Sequence, residues 1–111
     1  MESEYDIELY KMKADLCKTM ADPTRLMIIQ ELRTGEKSVG ELTKNVGSHQ
    51  AAVSRHLSVL RNKGFVVSRR EGTSVYYSLT NNRIADACGL VHEILLSRIL
   101  QNREFADRVI Q

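Results

Sequence analysis

No stretch of this sequence approaches the roughly 20 consecutive apolar residues that a membrane-spanning helix needs. Two cysteines are too few for the disulfide framework of a small secreted scaffold. The opening MESEYDIELYKMK is acidic and periodic, unlike a secretory signal, so a cytoplasmic protein without membrane contact is expected. Internal repeats and low-complexity segments are missing, which sets aside repeat architectures. Catalytic signatures are missing too. There is no glycine-rich phosphate loop, no carboxylate pair at catalytic spacing and no ordered nucleophile motif. An enzyme is not expected, and the sequence calls for no certain cofactor.

What is present suits one folded domain over residues 1–111. Hydrophobic residues make up 42% and charged residues 27% of the chain, enough for a modest core. The placement of charge is less ordinary. Residues 48–74 hold Arg55, Arg61, Lys63, Arg69 and Arg70 against Glu71 alone, although the whole chain is only +2. Residues 1–47 carry seven basic and nine acidic residues, and residues 75–111 carry four of each. A basic patch confined to the middle suggests an anion-facing surface, with a plain solvated face as the alternative.

Tyr5, Leu9, Met12, Leu16 and Met20 recur at helical spacing and predict a first helix. The segment ADPTR ends it. Asp22 can cap a second helix, and Pro23 suits its first turn, where a missing N–H costs nothing. That helix runs to about Arg33 with Leu26, Ile29 and Leu32 inward. Ser38 and Glu41 have the spacing of a capping box for a third helix, which Gly47 ends. Ser48 is then expected to cap a fourth helix, with Val53, Leu57 and Leu60 inward, ending at Gly64. Two short helices joined at a glycine form a helix-turn-helix over residues 38–63, whose second helix enters a DNA major groove.

After Gly64 the apolar period changes to two. FVVSRRE and SVYYSL are rich in β-branched and aromatic residues, and Glu71-Gly72-Thr73 between them predicts a hairpin turn. This gives a two-stranded wing over residues 65–79. Ile84, Cys88, Val91, Leu95 and Ile99 form the stripe of a last helix over residues 82–101, with Phe105 and Val109 as a continuation. The expected fold is mostly α with a small β-hairpin: four helices, a hairpin and a fifth helix, a winged helix-turn-helix. The terminal helices, residues 4–20 and 82–101, carry more apolar surface than the small core needs. That surplus predicts a homodimer.

ADPTRLMIIQEL, SVGELTKNVGSHQAAVSRHLSVLRNKGFV and RREGTSVYYSL together resemble the ArsR/SmtB family of small repressors, over roughly residues 12–100. The resemblance implies a homodimer that binds double-stranded operator DNA and leaves it on a chemical signal. Residues 50–62 would then lie in the major groove. Ala51 would allow close approach and touch a thymine methyl, Gln50 would pair with adenine and Arg55 with guanine. Ser54 reaches a base edge or phosphate, and Ser48 and the helix start favour a phosphate. His49 is a contact or only a turn residue. Arg69, Arg70 and Thr73 would serve backbone or minor-groove contact from the wing. His56 turns toward the core, as a packing histidine or a base contact. A winged helix used for protein or RNA contacts would lose the small, basic outer face that residues 50–70 keep.

The family's signal sites can be checked against this sequence. Ser38, Gly40 and Thr43 stand where one soft-metal site has cysteines, and Asn81, Arg83, Ile94 and Ser97 stand where another has Asp and His ligands. Neither site has its ligand atoms. Cys17 and Cys88 remain, on two helices that pack together in the resembling dimers. Three readings stay open. Each cysteine is a small buried apolar residue, or the pair is a thiol switch, or Cys17, Cys88 and His92 form a soft metal or metalloid site. A constitutive regulator without a sensor site is a further alternative.

Overall fold

Asp6 opens the first helix, its carboxylate accepting from the backbone N–H groups of Glu8 and Leu9. The computed structural model describes residues 4–110, without the side chains of Arg103, Phe105, Ala106 and Ile110. Helix α1 spans Ile7–Met20 and α2 spans Pro23–Leu32. Asp22 caps α2 by accepting from the N–H of Arg25 at 3.1 Å, and Pro23 occupies the first turn. A two-residue strand β1, Lys37–Ser38, leads into α3, Val39–Val46. The predicted capping box is formed: the Ser38 hydroxyl accepts from Glu41 N–H, and the Glu41 carboxylate accepts from Ser38 N–H. Gly47 ends α3 at φ +73°, a left-handed position that favours glycine. Helix α4 follows, Gln50–Asn62.

Strands β2, Val66–Glu71, and β3, Ser74–Leu79, form an antiparallel hairpin turned at Gly72, φ +62°. Helix α5 spans Arg83–Gln101 and α6 spans Arg103–Ile110. The core is the meeting of α2, α3, α4, the hairpin and the start of α5. Ile28, Ile29, Leu32, Leu42, Val53, Leu57, Leu60, Phe65, Val66 and Ala85 are buried in it. Each such large aliphatic side chain contributes about 1.5–3 kcal/mol through burial.

Three expectations need correction, and the sheet gains a strand. Leu26 does not face the core; it is 41% exposed, and Ile28 is buried instead. LMII is apolar at four consecutive positions, so spacing alone could not choose among them. Ser48 does not cap α4: His49 holds the cap position, and no side chain there bonds the helix. The expected two-stranded wing is formed, and Lys37 and Ser38 add a short strand to it by pairing with Tyr77 and Tyr76, to make a sheet of order β1-β3-β2. Two residues are too short to show a period. The last helix does not run on unbroken, since Asn102 leaves helical geometry (φ −99°, ψ 93°) and α6 begins afresh. The side chain of Phe105 lies outside the described residues.

Candidate nucleic-acid interface

Helix α4 divides cleanly by burial. Val53, Leu57 and Leu60 are fully buried, while Gln50, Ala51, Arg55, Ser58 and Asn62 are exposed and Ser54 is half-buried. Arg55 has no polar partner among the described residues, so its guanidinium keeps all its donors for another molecule. The helix start is also open. With no side-chain cap at His49, the first-turn N–H groups point outward unpaired by any side chain. Ser48 lies half-buried in the turn, and His49 is exposed.

The wing comes close to this helix. Gln50 and Ser54 from α4, Gly40 from α3 and Thr73, Val75 and Tyr77 from the wing line a groove of about 430 Å³. Three of the expected contact residues, Gln50, Ser54 and Thr73, therefore share one groove. The two wing arginines do not share a face. Successive strand residues point to opposite sides, and Arg70 is paired across the hairpin with Val75, a groove residue. Arg69 is paired with Tyr76, on the opposite face, and is not among the groove residues. Its guanidinium is held by Glu36 and Glu71.

His56 packs between helices, the first of the two roles left open for it. Its Nδ1 lies 3.2 Å from Arg25 Nη1, and its Nε2 lies 3.8 Å from Asp22 Oδ1. The backbone N–H of Arg25, with His56 and Arg25 nearby, holds the Asp22 carboxyl below its usual range. Arg25 also donates through Nε to the carbonyl of Thr19 at the end of α1. A second tie joins α1 to the end of α4, where Lys63 Nζ sits 3.1 Å from Asp15 Oδ2.

The cysteines differ. Cys17 is exposed on α1. Cys88 is half-buried on α5 against the core, its Sγ donating toward Met20 Sδ at 3.8 Å, and burial pushes its thiol pKa up. Reading both as buried small residues thus suits Cys88 and not Cys17 within one chain. The three-ligand site from Cys17, Cys88 and His92 is not assembled within one chain: no three His, Cys, Asp or Glu residues gather to hold a metal among the described residues. Among the same residues no helix is long and apolar enough to cross a membrane.

Sequence reasoning missed Glu36, Tyr76, Asp22 and Arg25 as partners of site residues. Asp22 was visible as a cap; its approach to His56 on another helix was not.

A helical core, a helix-turn-helix with an open second helix and a wing alongside it define a winged helix-turn-helix DNA-binding regulator. Residues 22–68 match the family described as bacterial regulatory protein, arsR family. An uncharacterised HTH-type transcriptional regulator of Mycobacterium tuberculosis, Rv0081, is 39% identical over 104 residues, 93% of this chain and 88% of the relative. The biofilm growth-associated repressor of Xylella fastidiosa is 38% identical over 85 residues, 77% of this chain and 75% of the relative. Among solved structures, a homodimeric winged helix-turn-helix DNA-binding domain from Mycobacterium bovis superimposes with a TM-score of 0.74 at 28% identity, covering 88% of this chain and 91% of that one. The chain belongs to the arsR family of bacterial transcriptional regulators.

Proposed function

We propose that two copies of the chain pair through α1 and α5 and bind operator DNA as a repressor, with α4 in the major groove. The exposed face of α4 and the groove it shares with the wing carry this reading. Gln50 reads adenine, Arg55 reads guanine, and Ala51 lets the backbone approach a thymine methyl. Ser48, His49 and Ser54, with the open helix start, take phosphate or base-edge contacts. Arg70 and Thr73 meet the backbone from the wing, on the face of the hairpin that Val75 shares with the groove.

The pairing rests on apolar surface. On α1, Ile7 and Met12 are 64% and 67% exposed; on α5, Leu90 and Val91 are 62% and 66% exposed. Side chains of that size stay in water only at a cost, and two exposed helix faces of this kind suit a second copy. The homodimeric Mycobacterium bovis relative supports the same arrangement.

The signal is proposed to act on thiols. Cys17, exposed in the single chain, lies on one pairing helix, and Cys88 sits on the other. Oxidation of the two thiols to a disulfide reduces the peroxide to water, and a crosslink there changes how far apart the two α4 helices sit. DNA prefers the spacing of successive major grooves, about 34 Å.

The test is binding of the reduced protein to DNA upstream of its coding sequence, across a salt series and again after peroxide. Affinity that falls with salt, is lost on oxidation and returns with reductant supports the whole proposal. Salt-dependent binding indifferent to peroxide leaves a regulator without a thiol switch.

A further inference from the structure

Arg69 stands in the basic segment and invites assignment as a phosphate contact, but its surroundings give it other work. Ser38, Tyr76 and Arg69 are aligned across β1, β3 and β2, and directly opposed residues share a face. Arg69 lies over the Tyr76 ring, 4.8 Å from its centroid. From there its Nε reaches Glu36 Oε2 at 2.9 Å, and its Nη2 bonds the other Glu36 oxygen. Its Nη1 bonds Glu71 at 2.7 Å, two residues along the same strand. The guanidinium is thus shared between two carboxylates. They raise its pKa, and Arg69 in turn holds Glu36 below the usual carboxylate range.

The bridge spans the whole sheet. Glu36 immediately precedes β1, so the contact runs from the β1 edge, over β3, to β2. Glu36 is anchored in its turn, because Lys37 Nζ donates to the carbonyl of Glu31 at 2.7 Å and to Thr34 Oγ1 at 3.0 Å. A two-stranded hairpin is marginal by itself, and beyond Val66 most of β2 is exposed.

We propose that Arg69 is a positioning residue, which with Glu36 and Tyr76 clamps the wing to the end of α2 and sets the wing's angle to α4, while Arg70 on the opposite face makes the phosphate contact. The clamp rests on the DNA-binding reading above and deepens it.

The test compares full-length wild type, Glu36→Gln, Arg69→Gln, the double variant and Arg70→Gln on the same DNA across a salt series. Glu36→Gln separates the two roles by sign. It removes a negative charge, so an Arg69 that contacted DNA would bind more tightly once released. A clamp predicts weaker binding, by about two- to fivefold, the scale of an exposed but networked pair. The slope of log affinity against log salt stays that of wild type. The double variant is no weaker than either single, as coupled partners require. Arg70→Gln lowers the slope by about one.

Tighter or unchanged binding by Glu36→Gln, or a slope lowered by about one in Arg69→Gln, overturns the clamp. Amide relaxation at Gly72 and Thr73 gives a readout independent of DNA: Glu36→Gln loosens the wing tip if the clamp holds it, and leaves it unchanged if not. Wild type that fails to bind DNA while Glu36→Gln still loosens the tip removes the DNA reading and keeps the clamp.

Discussion

Arg25 of α2 and His56 of α4 meet with Nη1 3.2 Å from Nδ1. A guanidinium has only donors, so the histidine nitrogen must accept. In the neutral ring the proton therefore sits on Nε2, on the side of Asp22. Long-range ¹H–¹⁵N spectra should show that tautomer for His56. The Nδ1–H form would mean that Arg25 does not make this bond in solution.

The same contact joins three helices, because Arg25 also holds the Thr19 carbonyl at the end of α1. Arg25→Ala leaves two half-buried acceptors without this donor and should destabilise the chain by about 1–3 kcal/mol, measured by urea unfolding. Arg25→Lys, with a single ammonium, should recover only part.

Asp22 predicts an acid dependence with a definite sign. Its folded carboxyl lies below its ordinary value of 3.8, chiefly through the Arg25 N–H. The stabilisation is complete above that ordinary value and lost as pH falls through the lower folded one. Asp22→Ala should cost about 1 kcal/mol at neutral pH. The gap between variant and wild type should close on acidification; a gap that stays constant to low pH contradicts a charged cap.

The thiols should differ in rate. Cys88 is half-buried and its pKa is raised, so its thiolate is scarce, whereas Cys17 is exposed. Iodoacetamide followed by mass spectrometry should modify Cys17 in the monomeric state well before Cys88. Equal rates would show that the packing of Cys88 against Met20 opens readily.

Much of this fold was legible because local chemistry dictated it. Asp22-Pro23, the Ser38–Glu41 box and Gly47 marked their helix ends through bonds within four residues. Val53, Leu57 and Leu60 announced the buried side of α4 by spacing, which also named its exposed side. What stayed hidden was contact between distant segments. Nothing near Glu36 indicates Arg69, 33 residues later, and the two adjacent wing arginines looked alike until strand register put them on opposite faces. Lys37-Ser38 joined the sheet because β3 offered an edge. Leu26 and Ile28 exchanged roles because α2 is apolar around much of its surface.

The contact face of α4 gives a sharper expectation than general affinity. Arg55→Ala should relax preference at one base position by about 1–3 kcal/mol, while Arg70→Ala should weaken all sequences alike.

The most direct measurement is selection of binding sites from random duplex DNA by the reduced protein, run beside Arg55→Ala. The account predicts an enriched palindrome with half-sites about one helical turn apart, and loss of one preferred base in each half for the variant. Absence of enrichment, or an unchanged site from Arg55→Ala, would contradict recognition through α4.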